Sequence, residues 1–303
     1  MVGGEARRAS DDGGARRIPA YLINLDRSVE RLVTMREMFD RIDVPFERVA
    51  AIDGRSLTDE QRAVHLARRG PLALESGELG CLLSHRAIWR RIAAGASDYG
   101  AVFEDDVQVS PRLRSLLAAS DWIASDADIV KLETHRETVV LHGQTRRATP
   151  GFELRRLQSC NIGAAAYIVS RRGADTLLAS FSQMRGPVDH DLFDPSHKLF
   201  HCLTIYQITP APCIQYRLFD PVIDARLGMS TIVDRVNDNK ALRKAVSKPL
   251  SPGAKIAREL TRPFRRAASA VRLRWRLFTG EFVSIAVPYD GGPPDAELPA
   301  APV

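Results

Sequence analysis

The sequence predicts an α/β protein with a mixed, mostly parallel sheet flanked by helices, extended at its C-terminus by a basic, partly helical segment. Three observations carry this. Short apolar runs alternate with stretches of helical apolar spacing from residue 18 to about 216. The first of these spell strand–helix–strand, the opening of a parallel sheet. The positive charge is concentrated in the last quarter of the chain.

Residues 1–17 are rich in Gly, Arg and Asp, with little to bury, and are expected to be disordered. Residues 18–25 (IPAYLINL) read as a buried strand. Ser28 then stands as an N-cap without a capping box, because Arg31 occupies the third position after it. Val29, Leu32, Val33 and Phe39 recur at helical spacing, and residues 46–52 follow Pro45 as a second strand. A second helix is expected over 79–92, closed by Gly95, and an apolar strand over 99–103 runs straight into Glu104-Asp105-Asp106. Pro111 opens a further helical piece, and 128–133 is another strand. The polar–apolar alternation of 139–158, with turns at Gly143 and Pro150-Gly151, predicts antiparallel strands. A strand over 163–169, a helix over 171–181 and a strand over 202–208 complete a domain spanning 18–220.

Formal charge is +6, from 43 Lys and Arg against 37 Asp and Glu. Between Lys240 and Arg276 there are 12 basic residues and a single acid, Glu259, so the excess belongs to the extension, 221–287. Within it, Phe264, Ala268, Val271, Trp275 and Phe278 form one helical stripe over 261–278, with Arg265, Arg266, Arg272, Arg274 and Arg276 largely around it. That pattern suits a helix lying on an anionic membrane surface, or equally one docked on the protein's own core. Nucleic acid is not expected, since no aromatic platform for bases accompanies the charge. Residues 288–303 are Pro- and Gly-rich and are expected to be disordered. Cys81, Cys160, Cys202 and Cys213 lack zinc-finger or disulfide-framework spacing. No apolar run approaches the ~20 residues that span a bilayer, and the N-terminus lacks a signal-peptide core. A cytoplasmic protein is expected, with any membrane contact peripheral, on the cytoplasmic face.

The chemistry is carried by short polar clusters. Glu104-Asp105-Asp106 closes an apolar strand, where ligands of open α/β sheets sit. Three adjacent carboxylates repel one another unless a cation is present. Glu104 and Asp106, at i and i+2, can grip one hard divalent ion; a solvated acidic turn is the alternative. Asp189-His190-Asp191, after Gly186-Pro187, is a second carboxylate pair, suited to taking a proton from an acceptor hydroxyl, with His190 or one Asp available to the metal shell. A plain structural loop is the alternative there. Arg27 and Arg31 stand at a helix start, where phosphates bind, unless they are merely solvated. Glu78, His85 and Trp89 share one helical face, and His85 could reach a donor, orient Glu78 or simply be a satisfied core residue.

These segments, in this order, resemble glycosyltransferase family 25. The matching stretches are Tyr21-Leu-Ile-Asn-Leu-Asp-Arg27 with Glu30-Arg31, Val49-Ala-Ala-Ile-Asp-Gly54, and Gly77-Glu-Leu-Gly-Cys-Leu-Leu-Ser-His-Arg86. Ala101-Val-Phe-Glu-Asp-Asp-Val107, Asp128-Ile-Val-Lys-Leu132, Ala166-Tyr-Ile-Val-Ser-Arg-Arg-Gly-Ala174 and Gly186-Pro-Val-Asp-His-Asp-Leu192 follow. The resemblance implies a GT-A-like fold and an inverting transfer of a hexose, galactose or glucose, from a UDP-sugar. It implies Mn²⁺ or Mg²⁺ on Glu104 and Asp106, with His190 as a further metal ligand. Asn24, Arg27, Arg31, Ser84, His85 and Asp105 fall on the donor side, and Asp189 and Asp191 resemble the family's late acidic motif; by their chemistry Asp191, or failing that Asp189, is expected as the base. The acceptor it implies is an oligosaccharide or a lipid-linked glycan, in lipopolysaccharide or cell-surface glycan synthesis. The residues by themselves leave two other classes open: a metal-dependent phosphoryl-transfer enzyme or hydrolase, and a non-catalytic membrane-binding module.

Overall fold

The computed structural model describes residues 17–66, 74–184, 186–227 and 271–291. In chain order, the first half contains β1 (Ala20–Asn24), α1 (Val29–Arg41), β2 (Phe46–Ala50), α2 (Asp59–Leu66), α3 (Ser76–Ala94), β3 (Tyr99–Glu104), β4 (Val107–Val109) and α4 (Leu113–Leu117). The middle contributes β5 (Ile129–Lys131), β6 (Glu133–Thr134), β7 (Thr138–His142), β8 (Arg146–Arg147), β9 (Glu153–Arg156), β10 (Ala166–Ser170) and α5 (Arg171–Ala179). The last part has α6 (Val188–Phe193), α7 (Lys198–Cys202), β11 (Ile205–Thr209), β12 (Cys213–Gln215), α8 (Tyr216–Phe219), α9 (Pro221–Arg226) and β13 (Phe282–Ala286).

An eight-stranded sheet runs β2-β1-β3-β10-β5-β11-β9-β8. Pairing is parallel for β1 with β2, β1 with β3, and β5 with β11, whereas β10 runs antiparallel between β3 and β5. The β8 and β9 edge is antiparallel too. The sheet is therefore mixed, with parallel pairing in two blocks. A small sheet, β4-β12-β6, lies beyond the end of the large one.

Helices cover both faces. Met35, Met38 and Phe39 of α1 and Leu113, Leu116 and Leu117 of α4 join the core on one face, around Leu22, Phe103 and Ile168. Leu79, Leu82, Trp89 and Ile92 of α3, with Leu177 of α5 and Leu192 and Phe193 of α6, fill the other face against Val102, Tyr167 and Val169. Strands β3 and β10 are buried on both sides, so their sequences read as apolar runs rather than as alternation.

Several elements escaped the sequence reading, and one boundary needs correction. Helix α2 and the short α6 to α9 were not anticipated as helices. The 139–158 segment forms strands as expected, but β7 takes β13 as its ladder partner rather than β8 or β9. The C-terminal boundary expected at 220 is thus overturned by β13, which pairs with β7 over five residues. Residues 288–291, expected to be disordered, are built in as well. Pro288 O accepts from Ala211 N at 2.8 Å, and Asp290 accepts from Ser110 Oγ at 2.6 Å and pairs with Arg112 at 2.5 Å. The expectations for 1–16, for 292–303 and for 261–270 of the amphipathic stripe lie outside the described residues. Residues 271–278 are helical, and their stripe faces solvent: Trp275 is 63% and Phe278 85% exposed. Among the described residues, no helix is long and apolar enough to cross a membrane.

Candidate active site

Helix α1 leaves β1 over one face of the sheet, and α3 enters β3 over the other. The connections therefore diverge at β1 and β3, and the crevice at their carboxyl ends is where a doubly wound sheet binds ligand. A cavity of ≈ 540 Å³ opens there. The turn after β1 supplies Arg27, the first turn of α1 Arg31, the loop after β2 Asp53 and Gly54, α3 Gly77 and Cys81, the end of β3 Glu104, and the turn after it Asp106. The wall between the β2 loop and α3 is backbone against backbone. A Cβ on Gly54 would lie 1.6 Å from Ser76 O, and one on Gly80 2.3 Å from Ile52 O, so only glycine permits this approach.

The acidic triplet occupies the tight turn joining β3 to β4, and its three carboxylates have different partners. Asp105 accepts from Asn24 Nδ2 at 2.7 Å and from Arg31 at 3.1 Å. Burial raises its pKa, and Arg31 and Asn24 oppose that rise. Asp106 is buried; Gln215 Nε2 stands 3.3 Å from Oδ2, while Oδ1 is buried without a hydrogen-bond partner among the described residues. Burial, then the charges of Glu104 and Asp105, push its pKa well above the usual carboxylate range. An ionised, orphaned oxygen in such a place is costly. A cation removes that cost.

Glu104 is held from behind by a chain of hydrogen bonds. Trp89 Nε1 donates to the Tyr167 hydroxyl at 2.8 Å, and that hydroxyl lies 2.9 Å from His85 Nδ1. His85 Nε2 is 3.1 Å from Glu104 Oε1. An ionised Glu104 can only accept, so in the neutral imidazole Nε2 carries the proton and Nδ1 accepts from the Tyr167 hydroxyl, whose oxygen accepts from the indole. Cys81 Sγ donates to the same oxygen at 3.6 Å; burial, and then Glu104, keep this thiol protonated. Oε2 is left without a protein partner among the described residues.

Of the residues expected on the donor side, the structure gathers all six around this crevice but divides their work. Arg27 and Arg31 are at the mouth, paired with Asp53 and Asp105. Asn24 is buried and spends its amide on Ser28 O, Asp105 and Arg48. Ser84 accepts from Ile52 N and donates to Gly80 O, clamping the β2 loop to α3. His85 is fully buried behind Glu104. Asn24, Asp105, Ser84 and His85 therefore hold the frame rather than offer free polar atoms to a ligand. Glu78, read as a possible partner of His85, instead closes a capping box with Glu75 at the start of α3.

The late motif is split by its helix. Asp189, at the start of α6, lies in the electrostatic field of Glu104 and Lys131, with its pKa raised first by burial and also by Glu104, against lowering by His190 and Lys131. Asp191 turns elsewhere: it is buried, with Oδ1 2.7 Å from His197 Nδ1 and Oδ2 accepting from Gly186 N at 3.1 Å. His190 likewise stands with Asp194 and His197, in a cluster separate from Glu104. The expected assignments of Asp191 as base and His190 as ligand of the Glu104 ion do not fit this geometry. In a short helix, residues at i and i+2 point about 200° apart, so Asp189 and Asp191 lie on different sides of α6.

The reading of the sequence also missed a buried pair beneath the site. Lys131 and Glu133 are both fully buried and 3.0 Å apart. Lys131 also donates to Gly163 O and lies 4.1 Å from the centre of the Phe193 ring. Gly163 has φ +113°, and a Cβ there would meet His135 Nε2 at 2.2 Å. The signal was present as two opposite charges at i and i+2 in an otherwise apolar strand, hence on one face.

The family model for glycosyltransferase family 25 (LPS biosynthesis protein) matches residues 17–192, which include the crevice lining except Leu227, and α6 up to Leu192. Lipooligosaccharide biosynthesis protein lic2B of Haemophilus influenzae is 26% identical over 207 residues, 64% of this chain and 75% of that protein. Lacto-N-neotetraose biosynthesis glycosyltransferase LgtB of Neisseria meningitidis is 25% identical over 237 residues, 74% of this chain and 84% of that one. Procollagen galactosyltransferase 1-A of Xenopus laevis is 28% identical over 170 residues, 52% of this chain but 27% of its own length. The helix-flanked mixed sheet is an α/β architecture, the fold class expected from the sequence. With its model matching more than half of the residues, the chain belongs to glycosyltransferase family 25.

Proposed function

We propose that this glycosyltransferase moves a hexose, galactose or glucose, from a UDP-sugar to a hydroxyl of an oligosaccharide or lipid-linked glycan in lipopolysaccharide or cell-surface glycan synthesis. The observation that carries this reading is the orphaned Oδ1 of buried Asp106 beside Glu104, at the end of an arginine-flanked crevice. Glu104 and Asp106 fit Mn²⁺ or Mg²⁺, hard ions that take one or two carboxylates and share phosphate oxygens for the rest. Such an ion, when bound, neutralises charge on the departing diphosphate. Arg27 and Arg31 are within the crevice to meet the phosphates as guanidinium forks.

Asp189 replaces Asp191 as the base in this reading. Its raised pKa suits a group that accepts the acceptor hydroxyl's proton as the oxygen attacks the anomeric carbon. Attack on the face opposite UDP breaks the sugar–phosphate bond in one step, with inversion. Lys131 and Glu133 keep the floor beneath Asp189 charged yet rigid. The exposed Val271, Trp275 and Phe278, with Arg272 and Arg274 beside them, support a peripheral seat on an anionic membrane, near a lipid-linked acceptor.

The test is release of UDP from UDP-galactose and UDP-glucose with Mn²⁺, with and without chelator, in the wild type and in Asp106→Asn. Loss of transfer by at least about a hundredfold in the variant, with unchanged far-ultraviolet dichroism, supports the reading. Normal turnover in Asp106→Asn overturns it. Release of sugar to water alone, with no glycoside formed on any glycan acceptor, points to a hydrolase.

A further inference from the structure

Around the C-terminal end of α6, three side chains converge that the proposed transfer reaction does not use. His190, Asp194 and His197 each offer one ligand atom, and these atoms all lie within 4.8 Å of one another. His190 projects from α6, Asp194 follows the last residue of that helix, and His197 immediately precedes α7. The two imidazole rings face each other at a centroid distance of 6.4 Å, tilted by 52°. His190 Nδ1 and Asp194 Oδ2 are 3.9 Å apart, too far for a hydrogen bond. Two ligands of one tetrahedral zinc, at ~2.0–2.1 Å from the metal, stand roughly 3.3 Å apart, so a small rotamer change closes the gap.

A second, independent feature points to a metal. His197 Nδ1 is bonded at 2.7 Å to Oδ1 of buried Asp191, whose other oxygen is fixed by Gly186 N. A carboxylate on one imidazole nitrogen sets the tautomer and leaves the other nitrogen's lone pair available, the arrangement found behind metal-bound histidines. Asp194 Oδ1 accepts from Ser196 N at 2.8 Å, which fixes the carboxylate with Oδ2 on the side of His190. The three side chains are 24–33% exposed, which leaves room for water to complete a shell.

We propose that His190, Asp194 and His197 form a second metal site, distinct from the Glu104–Asp106 turn, with Asp191 as the carboxylate that orients His197. Two imidazoles and one carboxylate select a borderline transition ion, Zn²⁺ by preference, with Co²⁺ as its spectroscopic substitute. The ion staples the end of α6 to the start of α7. His190 N donates to Asp189 Oδ1 at 2.9 Å, so the staple also steadies the first turn of α6, which carries Asp189.

The inference does not depend on the transfer reaction, and the experiment keeps the two apart. Full-length protein, stripped by chelation, is titrated with Co²⁺ and then Zn²⁺, following visible ligand-field bands and their displacement. One equivalent giving tetrahedral or five-coordinate bands is expected in the wild type and in Asp106→Asn. His190→Ala and Asp194→Asn should abolish the bands, and Asp191→Asn should weaken affinity about 10–100-fold. His190→Ala leaves the Asp191–His197 pair intact, so its loss of metal is not a folding artefact if far-ultraviolet dichroism is unchanged. Equal binding by wild type, His190→Ala and Asp194→Asn overturns the site. So does binding that disappears in Asp106→Asn alone.

Discussion

His85 Nε2 points at Glu104 Oε1 from 3.1 Å, and no part of the imidazole reaches solvent. A carboxylate that grips a cation must keep its orientation as the cation comes and goes. Here one oxygen is pinned through Trp89, Tyr167 and His85, while the other has no protein partner among the described residues. His85→Met removes the donor at similar bulk. Such outer partners set affinity or activity by ~10–100-fold when removed, and that loss is expected in Mn²⁺-dependent transfer. Tyr167→Phe should show a smaller loss of activity and cost ~1–3 kcal/mol of stability, because Trp89 Nε1 and His85 Nδ1 lose their shared partner. Unaltered Mn²⁺ dependence in His85→Met would show the chain to be mere packing.

Asp106 carries a pH signature. Its pKa is raised in the folded protein by burial and by Glu104 and Asp105, so the native state holds a proton that the unfolded chain has released. Without a divalent ion, this group's contribution makes stability fall as pH rises from the unfolded carboxylate pKa through the raised folded one. Asp106→Asn removes that slope. In chelator, the variant should therefore melt at or above the wild type at neutral pH, and below or level with it in acid. Mn²⁺ should reverse the order at neutral pH, since only the wild type gains from binding. A chelated wild type whose melting temperature climbs with pH relative to the variant contradicts this account.

Much of this was legible in the chain, and the parts that were not share a cause. Apolar runs gave β1, β3 and β10 because those strands are covered on both faces. The acidic turn was found because three carboxylates at a strand end have few uses. Sequence order could not say that β7 would pair with β13, which lies more than a hundred residues away. Nor could it divide Asp189 from Asp191: i and i+2 share a side in an extended loop but not on a helix, and Val188–Phe193 is a helix. The roles of Asn24 and Ser84 depend on which atoms they already satisfy, and partners 81 residues away, such as Asp105 for Asn24, leave no local trace.

Lys131 and Glu133 should behave as a unit. Both are fully buried; for Glu133, burial raises the pKa, but Lys131 and then His135 hold it down to about 2. Lys131→Met leaves a buried carboxylate with only weaker partners, and a loss of about 3–5 kcal/mol in urea unfolding is expected. The double change Lys131→Met with Glu133→Gln removes the stranded charge and should recover part of that loss. If the single and double variants lose the same stability, the charges are not coupled as the geometry indicates.

The helical residues 271–278 present an apolar stripe that the rest of the described structure does not cover. Val271, Trp275 and Phe278 are 67%, 63% and 85% exposed. Arg276 is drawn back to Glu281 at 3.6 Å and to the face of Phe282, at 4.9 Å from the ring centre. That leaves Arg272 and Arg274 for anionic headgroups, worth about 1 kcal/mol each near such a surface. Burying one large apolar side chain contributes roughly 1.5–3 kcal/mol, so Trp275→Ser with Phe278→Ser should weaken vesicle binding by at least about tenfold even if insertion is partial. The variants must keep the whole chain, because cutting at residue 220 would strip β13 from β7. Co-sedimentation with vesicles containing phosphatidylglycerol should show wild-type binding that falls with salt, and little binding to phosphatidylcholine alone. Equal pelleting of wild type and the double variant, at every salt concentration, would mean that this stripe does not meet the membrane.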